Sequence, residues 1–261
     1  MLQLIDAWKF INTSEHKFML SGGITMKKQC NILLLMTLTG FSDIALCRSI
    51  TGQIIINQTY SSGSSDSIRG NGQVTTAKRV LGEFNKLSVN TLVDIEYFAS
   101  ESNWLELTAD DNIMPIITST IRGDTLSIDA DQSFSTKSKI HAKIYGSSTL
   151  QKITVDGSSN VNLQGITGDL LEINLNGTSN ISAQGNVQSL VIKISGSGEA
   201  NTKELSADNV TIITKGSCDA IVTANKKLDV EIDGISNITF FGNPSSINKT
   251  IDGIGKVSAG N

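Results

Sequence analysis

Gly157-Ser158-Ser159-Asn160-Val161, Gly177-Thr178-Ser179-Asn180-Ile181, Gly196-Ser197-Gly198-Glu199-Ala200, Gly216-Ser217-Cys218-Asp219-Ala220, Gly234-Ile235-Ser236-Asn237-Ile238 and Gly253-Ile254-Gly255-Lys256-Val257 are six copies of one short pattern, with Gly-to-Gly steps of 20, 19, 20, 18 and 19 residues. Alternating apolar residues precede the glycines: Ile153 and Val155, Ile173 and Leu175, Ile192 and Ile194, Val230 and Ile232. The fourth copy is weaker, with Ile212 followed by Thr214. One unit of this length cannot bury its own apolar stripe. Stacked units can, each pairing its backbone with the one below at about 4.8 Å. A leucine-rich repeat has a similar period but needs a Leu-rich consensus and a convex helix, and the sequence has neither. The expected fold is therefore all-β, a parallel β-helix with rungs of about 19–20 residues. The glycine permits a bend or a positive φ at each corner. The column Gly157, Asn160, Gly177, Asn180, Gly216, Asp219, Gly234 and Asn237 reads as a structural turn ladder, in which short polar side chains bond the local backbone.

Upstream of the repeat the period of two continues. Val93, Ile95 and Tyr97 alternate with Asp94, Glu96 and Phe98, and Leu105, Leu107 and Ala109 with Trp104, Glu106 and Thr108. Leu126 and Ile128, then Ile140, Ala142 and Ile144, repeat the pattern, and no long window reads as a helix. Before this lies the polar run Ser61-Ser62-Gly63-Ser64-Ser65-Asp66-Ser67, so residues 48–77 read as a flexible linker and 78–261 as the folded domain.

The first 47 residues read differently. Met26-Lys27-Lys28 followed by Ile32, Leu33, Leu34, Leu35, Met36 and Leu38 is the pattern of a signal peptide over 26–47, cleaved after Cys47. The apolar run is too short for a spanning helix. Residues 1–25 show no period and read as a translation start placed too far upstream. A lipoprotein cysteine at Cys47 is a rival reading, weakened by Leu46 where a lipobox takes Gly or Ala. The expected location is exported: periplasm, outer surface or secreted. Beyond the signal only Cys218 remains, so no internal disulfide is expected and stability must come from packing and backbone pairing.

Composition excludes several classes. The net charge of −4 gives no basic surface for nucleic acid. Zinc spacing, EF-hand and phosphate-loop patterns are absent, so no metal, cofactor or catalytic residue is assigned. Asp110-Asp111 and the pair Asp129 and Asp131 read as solvated strand ends, and His141 as a surface residue beside Lys143 and Tyr145. Two aromatics are candidate binding residues. Trp104 falls on the polar face of its strand, where it stacks on a sugar, covers another subunit, or else caps the open N-terminal end of the coil. Phe240 and Phe241 are adjacent, so one points outward; Phe241 is the candidate.

Gly70-Asn71-Gly72, Arg79-Val80, Gly82-Glu83-Phe84, Leu87-Ser88-Val89 and Asp94-Ile95-Glu96, followed by Gly123-Asp124-Thr125-Leu126-Ser127-Ile128 and then by the Gly-Ser/Thr-Ser-Asn repeats, resemble in their order the auto-transporter adhesin head domain, or GIN domain, a domain of unknown function. The resemblance spans about 70–261 and departs at Lys256, where the pattern has Asn. It implies a right-handed β-helix, export and an envelope or adhesion role, and it brings no catalytic residues. Two functions follow as expectations: a non-enzymatic surface module that binds a glycan or another envelope component, or serves as a scaffold, and alternatively a polysaccharide lyase or hydrolase on the same fold. End-to-end or side-by-side self-association fits either.

Overall fold

The computed structural model describes Met19–Leu20, Ile24–Thr25 and residues 67–260. The signal-like segment 26–47, Cys47 and the first part of the linker lie outside the described residues. In the N-terminal unit Met19–Leu20 (β1) and Ile24–Thr25 (β2) pair antiparallel. The second unit is all-β apart from one 3-10 turn at Met114–Ile116.

Strand structure begins at Ile68–Arg69 (β3) and Val74–Val80 (β4), inside the stretch read as linker. Lys86–Val89 (β5), Asp94–Ala99 (β6), Trp104–Asp110 (β7), Ile117–Arg122 (β8), Thr125–Ala130 (β9), Phe134–Ser135 (β10), His141–Gly146 (β11), Lys152–Gly157 (β12), Asn160–Phe241 (β13) and Ser246–Ala259 (β14) follow. β3 pairs with β10, and the main sheet runs β4-β7-β11-β6-β13-β12-β5-β9-β8, with β14 on β13.

This sheet is mixed, which corrects the expectation of a parallel coil throughout 78–261. β4·β7, β7·β11 and β8·β9 are antiparallel. β6·β11, β6·β13, β12·β13, β5·β12, β5·β9 and β13·β14 are parallel. The cause is loop length. Only Gly123 and Asp124 join β8 to β9, and Gly123 (φ 63°) supplies the positive φ that a two-residue hairpin loop takes. Residues 100–103, between β6 and β7, are too few for a crossover. β7 therefore runs back, and β11 inserts between the two, parallel to one and antiparallel to the other.

The 82 residues of β13 would span roughly 270 Å if straight. Instead its repeat glycines, 18–20 residues apart, lie one against the next. Gly157 lies opposite Gly177, and Gly234 opposite Gly253. All six repeat glycines have φ between 107° and 140°. From Gly177 onward, each sits on the carbonyl of the one before, so closely that a Cβ has no room.

The inward residues form columns of one continuous core. Ile153, Ile173, Ile192, Ile212 and Val230 are all buried, as are Val155, Leu175, Ile194 and Ile232. Thr214, in the weak fourth copy, is buried in the second column and its Oγ1 has no hydrogen-bond partner. Upstream, Tyr97 is fully buried, edge-on to Phe84, and its hydroxyl donates to the Ser147 carbonyl at 2.7 Å. Burial pushes that hydroxyl's pKa up.

Candidate binding face

Because side chains alternate across a strand, residues between the buried columns face solvent in register from strand to strand. The Asn column lies there. Asn160 donates from both N and Nδ2 to Asp94 Oδ1, at 3.0 and 2.9 Å. Asn180 Nδ2 donates to Asn160 Oδ1 at 3.2 Å, and the Glu199 amide to Asn180 Oδ1 at 3.1 Å. Asn237 donates from N and Nδ2 to Asp219 Oδ1, at 3.1 and 3.0 Å. Lys256 lies opposite Asn237 on the next strand. The column is thus two bonded runs, Asp94–Glu199 and Asp219–Asn237, meeting at two adjacent carboxylates.

A second polar column runs beside the first. Glu96 lies opposite Asn162, and Ser182 Oγ donates to Asn162 Oδ1 at 3.2 Å. Between the columns is an open groove of about 430 Å3, lined also by His141, whose Nε2 is 3.6 Å from Glu96 Oε1. Asp94 lies outside the column expected from the repeat, although it precedes Ile95 just as Asn160 precedes Val161.

The aromatic candidates are on the same face of the sheet but do different work. Trp104 is half-buried and stacks on Tyr145 at 3.9 Å with 6° between the ring planes. Tyr145 in turn stacks on Phe98 at 5.1 Å, and Lys78 Nζ lies 4.8 Å over the indole. Both faces of Trp104 are therefore occupied within the chain, and it staples β4, β7, β11 and β6 together across their outer face. Phe241 points outward while Phe240 is buried, and Lys203 Nζ covers the Phe241 ring at 4.1 Å.

The small-residue column two positions after each glycine points inward. Ser159, Ser179, Cys218 and Ser236 are buried there, with Cys218 Sγ 3.4 Å from Ser236 Oγ. Cys218→Ser should change stability by no more than about 1 kcal/mol, since the hydroxyl keeps that contact. Cys218→Leu should cost about 1–3 kcal/mol through overpacking against the turns on either side. Thermal melts of the two variants check this.

Asp110 departs from its expected role as a solvated strand end. It is fully buried and accepts from Thr136 Oγ1 and Ser138 Oγ, both at 2.6 Å. Asp111 is exposed and bonded by the Asn71 side chain. Among the described residues no three His, Cys, Asp or Glu side chains are grouped to hold a metal ion.

A family model described as "Putative auto-transporter adhesin, head GIN domain" matches residues 83–244. The chain belongs to this family. The matched GIN domain takes in β5 to β13, while β3, β4 and β14 lie outside it. Solved structures share its fold. A "putative adhesin" from Bacteroides fragilis NCTC 9343 is 23% identical with a TM-score of 0.60, over 74% of this chain and 100% of that one. "Putative adhesin" structures from Parabacteroides merdae ATCC 43184 and Parabacteroides distasonis ATCC 8503 are 20% and 21% identical, with TM-scores of 0.51 and 0.50, each over 75% of this chain and 100% of the other. No curated protein matches the GIN domain chain in sequence.

Proposed function

We propose that the chain is an exported, non-enzymatic surface module whose outward Asn/Ser/acid face binds a glycan. The observation that carries this reading is the groove between the two polar columns. It offers carboxamides, hydroxyls and carboxylates at strand spacing, a grid suited to the alternating hydroxyls of a sugar chain. Membership of a family described as adhesin heads supports the surface role. The polysaccharide-enzyme alternative is disfavoured by what the ladder carboxylates do. Asp94 and Asp219 each accept a backbone amide and a carboxamide from one Asn, which fixes them as acceptors. Within this reading, residues 152–259 wind as a right-handed parallel β-helix of 19–20-residue rungs, supported by the parallel registers of β12, β13 and β14 and by the glycine column.

Glycan-array binding by the full chain, run beside a reducing-end assay for cleavage, tests the proposal. The expected result is saturable binding to a glycan class without cleavage. Ser182→Trp, which fills the groove from an exposed position, should weaken binding about tenfold or more with an unchanged melt. Absence of binding, an unaffected Ser182→Trp, or release of new reducing ends overturns it.

A further inference from the structure

The outward polar column has one break. From Asp94 through Asn160 and Asn180 to Glu199, a donor meets an acceptor at every step, and Asp219 and Asn237 form the next bonded run. Between the two runs acceptor meets acceptor. Gly216 rests on the Gly196 carbonyl, and Glu199 and Asp219 each stand three residues beyond those glycines. Both carboxylates are exposed. Like charges set opposite each other destabilise a sheet. Among the described residues no lysine, arginine or histidine forms an ion pair with either one.

Glu199 is also a wall of the groove, together with Asp94, Glu96 and His141, and no lysine or arginine lines it. Lys143 stands opposite Glu96 in register without forming an ion pair with it, and Lys203 is held over the Phe241 ring. Carboxylates gathered in one cleft act together, attracting cations and repelling anions. A carboxylate accepts and never donates. A sugar hydroxyl offers Glu199 one neutral donor, whereas an ammonium offers three donors and the opposite charge.

We propose, resting on the glycan reading above, that the groove is specific for a glycan carrying protonated amino groups, with Glu199 as the residue that reads the amine. The ammonium sits between Glu199 and Asp219 and supplies the donors that the column lacks there. N-acetylation of the sugar removes the charge and leaves a single N–H, so it weakens this contact. An acidic sugar brings like charge into a groove that already holds three carboxylates. A divalent cation fits the break less well, because such ions take six or more oxygen ligands and only two side-chain carboxylates meet there.

The test titrates the full chain with oligomers of glucosamine, N-acetylglucosamine and galacturonate of equal length, at about pH 5.5, where carboxylates are ionised and amines protonated. The amine series should bind about tenfold tighter than the acetylated one, the difference between a charge-assisted and a neutral hydrogen bond, and the acidic series should bind weakest. Glu199→Gln keeps the size of the side chain. It should remove most of the preference for the amine while leaving acetylated binding and the melt unchanged. Asp233→Asn makes the same charge change at an exposed position outside the groove and should leave the preference intact. If the acetylated or acidic series binds as tightly as the amine series, or if Glu199→Gln keeps the preference, the proposal is overturned while glycan binding stands. Loss of amine-series binding in a chelator overturns it too, since a metal ion would then be what joins the carboxylates. If none of the three series binds, the proposal is overturned as well, and the glycan reading falls with it only where the glycan array is also blank.

Discussion

Replacing Gly196 with alanine is expected to cost about 4 kcal/mol or more, in the range where a domain of this kind loses its fold. Two terms add. Gly196 has φ 127°, a region in which an L side chain is strained by about 1–3 kcal/mol. Its Cβ would also overlap the Gly177 carbonyl oxygen and lie 3.1 Å from Gly177 N and C. Those are backbone atoms, and Gly177 itself rests on Gly157, so the column cannot shift at one level without shifting at the next. Gly157 separates the terms. Its φ of 125° is nearly the same, but nothing lies within 4 Å of its Cβ position. Gly157→Ala should therefore pay only the strain, about 1–3 kcal/mol. Urea midpoints for the two variants decide the matter. Equal losses would mean that the corner glycines are there for φ alone and that rung-to-rung contact contributes nothing.

That difference between the two glycines also marks what a sequence can carry. A fixed spacing of Gly and a period of two determine which residues turn inward and which repeat, and the columns Ile153–Val230 and Ser159–Ser236 follow from them directly. Pairing partners do not follow. His141, Lys143 and Tyr145 alternate in the same way whether β11 runs parallel or antiparallel to its neighbours, so the mixed topology was illegible. Trp104 was placed on the correct face, but its stacking partner Tyr145 is 41 residues away and nothing local announces it. The ladder's base at Asp94 is legible in phase with the repeat. It precedes Ile95 as Asn160 precedes Val161, upstream of the first repeat glycine. Asp110 was the hardest, because Thr136 and Ser138, which satisfy it, come from another loop.

Asp110 should make the fold acid-sensitive in a way that a single substitution removes. Ser138 Oγ, Thr136 Oγ1 and the Gly72 backbone donate to its carboxylate and hold its pKa below the ordinary value against the opposing effect of burial. Those bonds tie the end of β7 to the 135–138 and 70–72 segments. Gly70 packs so closely on Asp110 Oδ2 that no side chain fits there. A group whose pKa is depressed in the folded state stabilises fully above its unfolded value, about 3.9 for Asp, and loses that contribution as pH falls through the lower folded value. Asp110→Asn keeps the shape but turns one acceptor into a donor facing hydroxyl and amide donors. It should melt well below the native chain at pH 7. Below about pH 4 the unfolded carboxylate protonates while the folded one stays charged down to its lower pKa, so across that window the native chain loses this stabilisation and the gap between the two melting temperatures should narrow. Asp124, held down by its bond from Lys86, and Asp229, by its bond from Lys227, are depressed as well, so both proteins lose stability on acidification; only the difference between them reports on Asp110. A gap that stays constant to pH 2 would mean that Asp110 acts through packing rather than charge. A variant as stable as the native chain at pH 7 would mean that the buried carboxylate is not what fastens the N-terminal strands to the sheet.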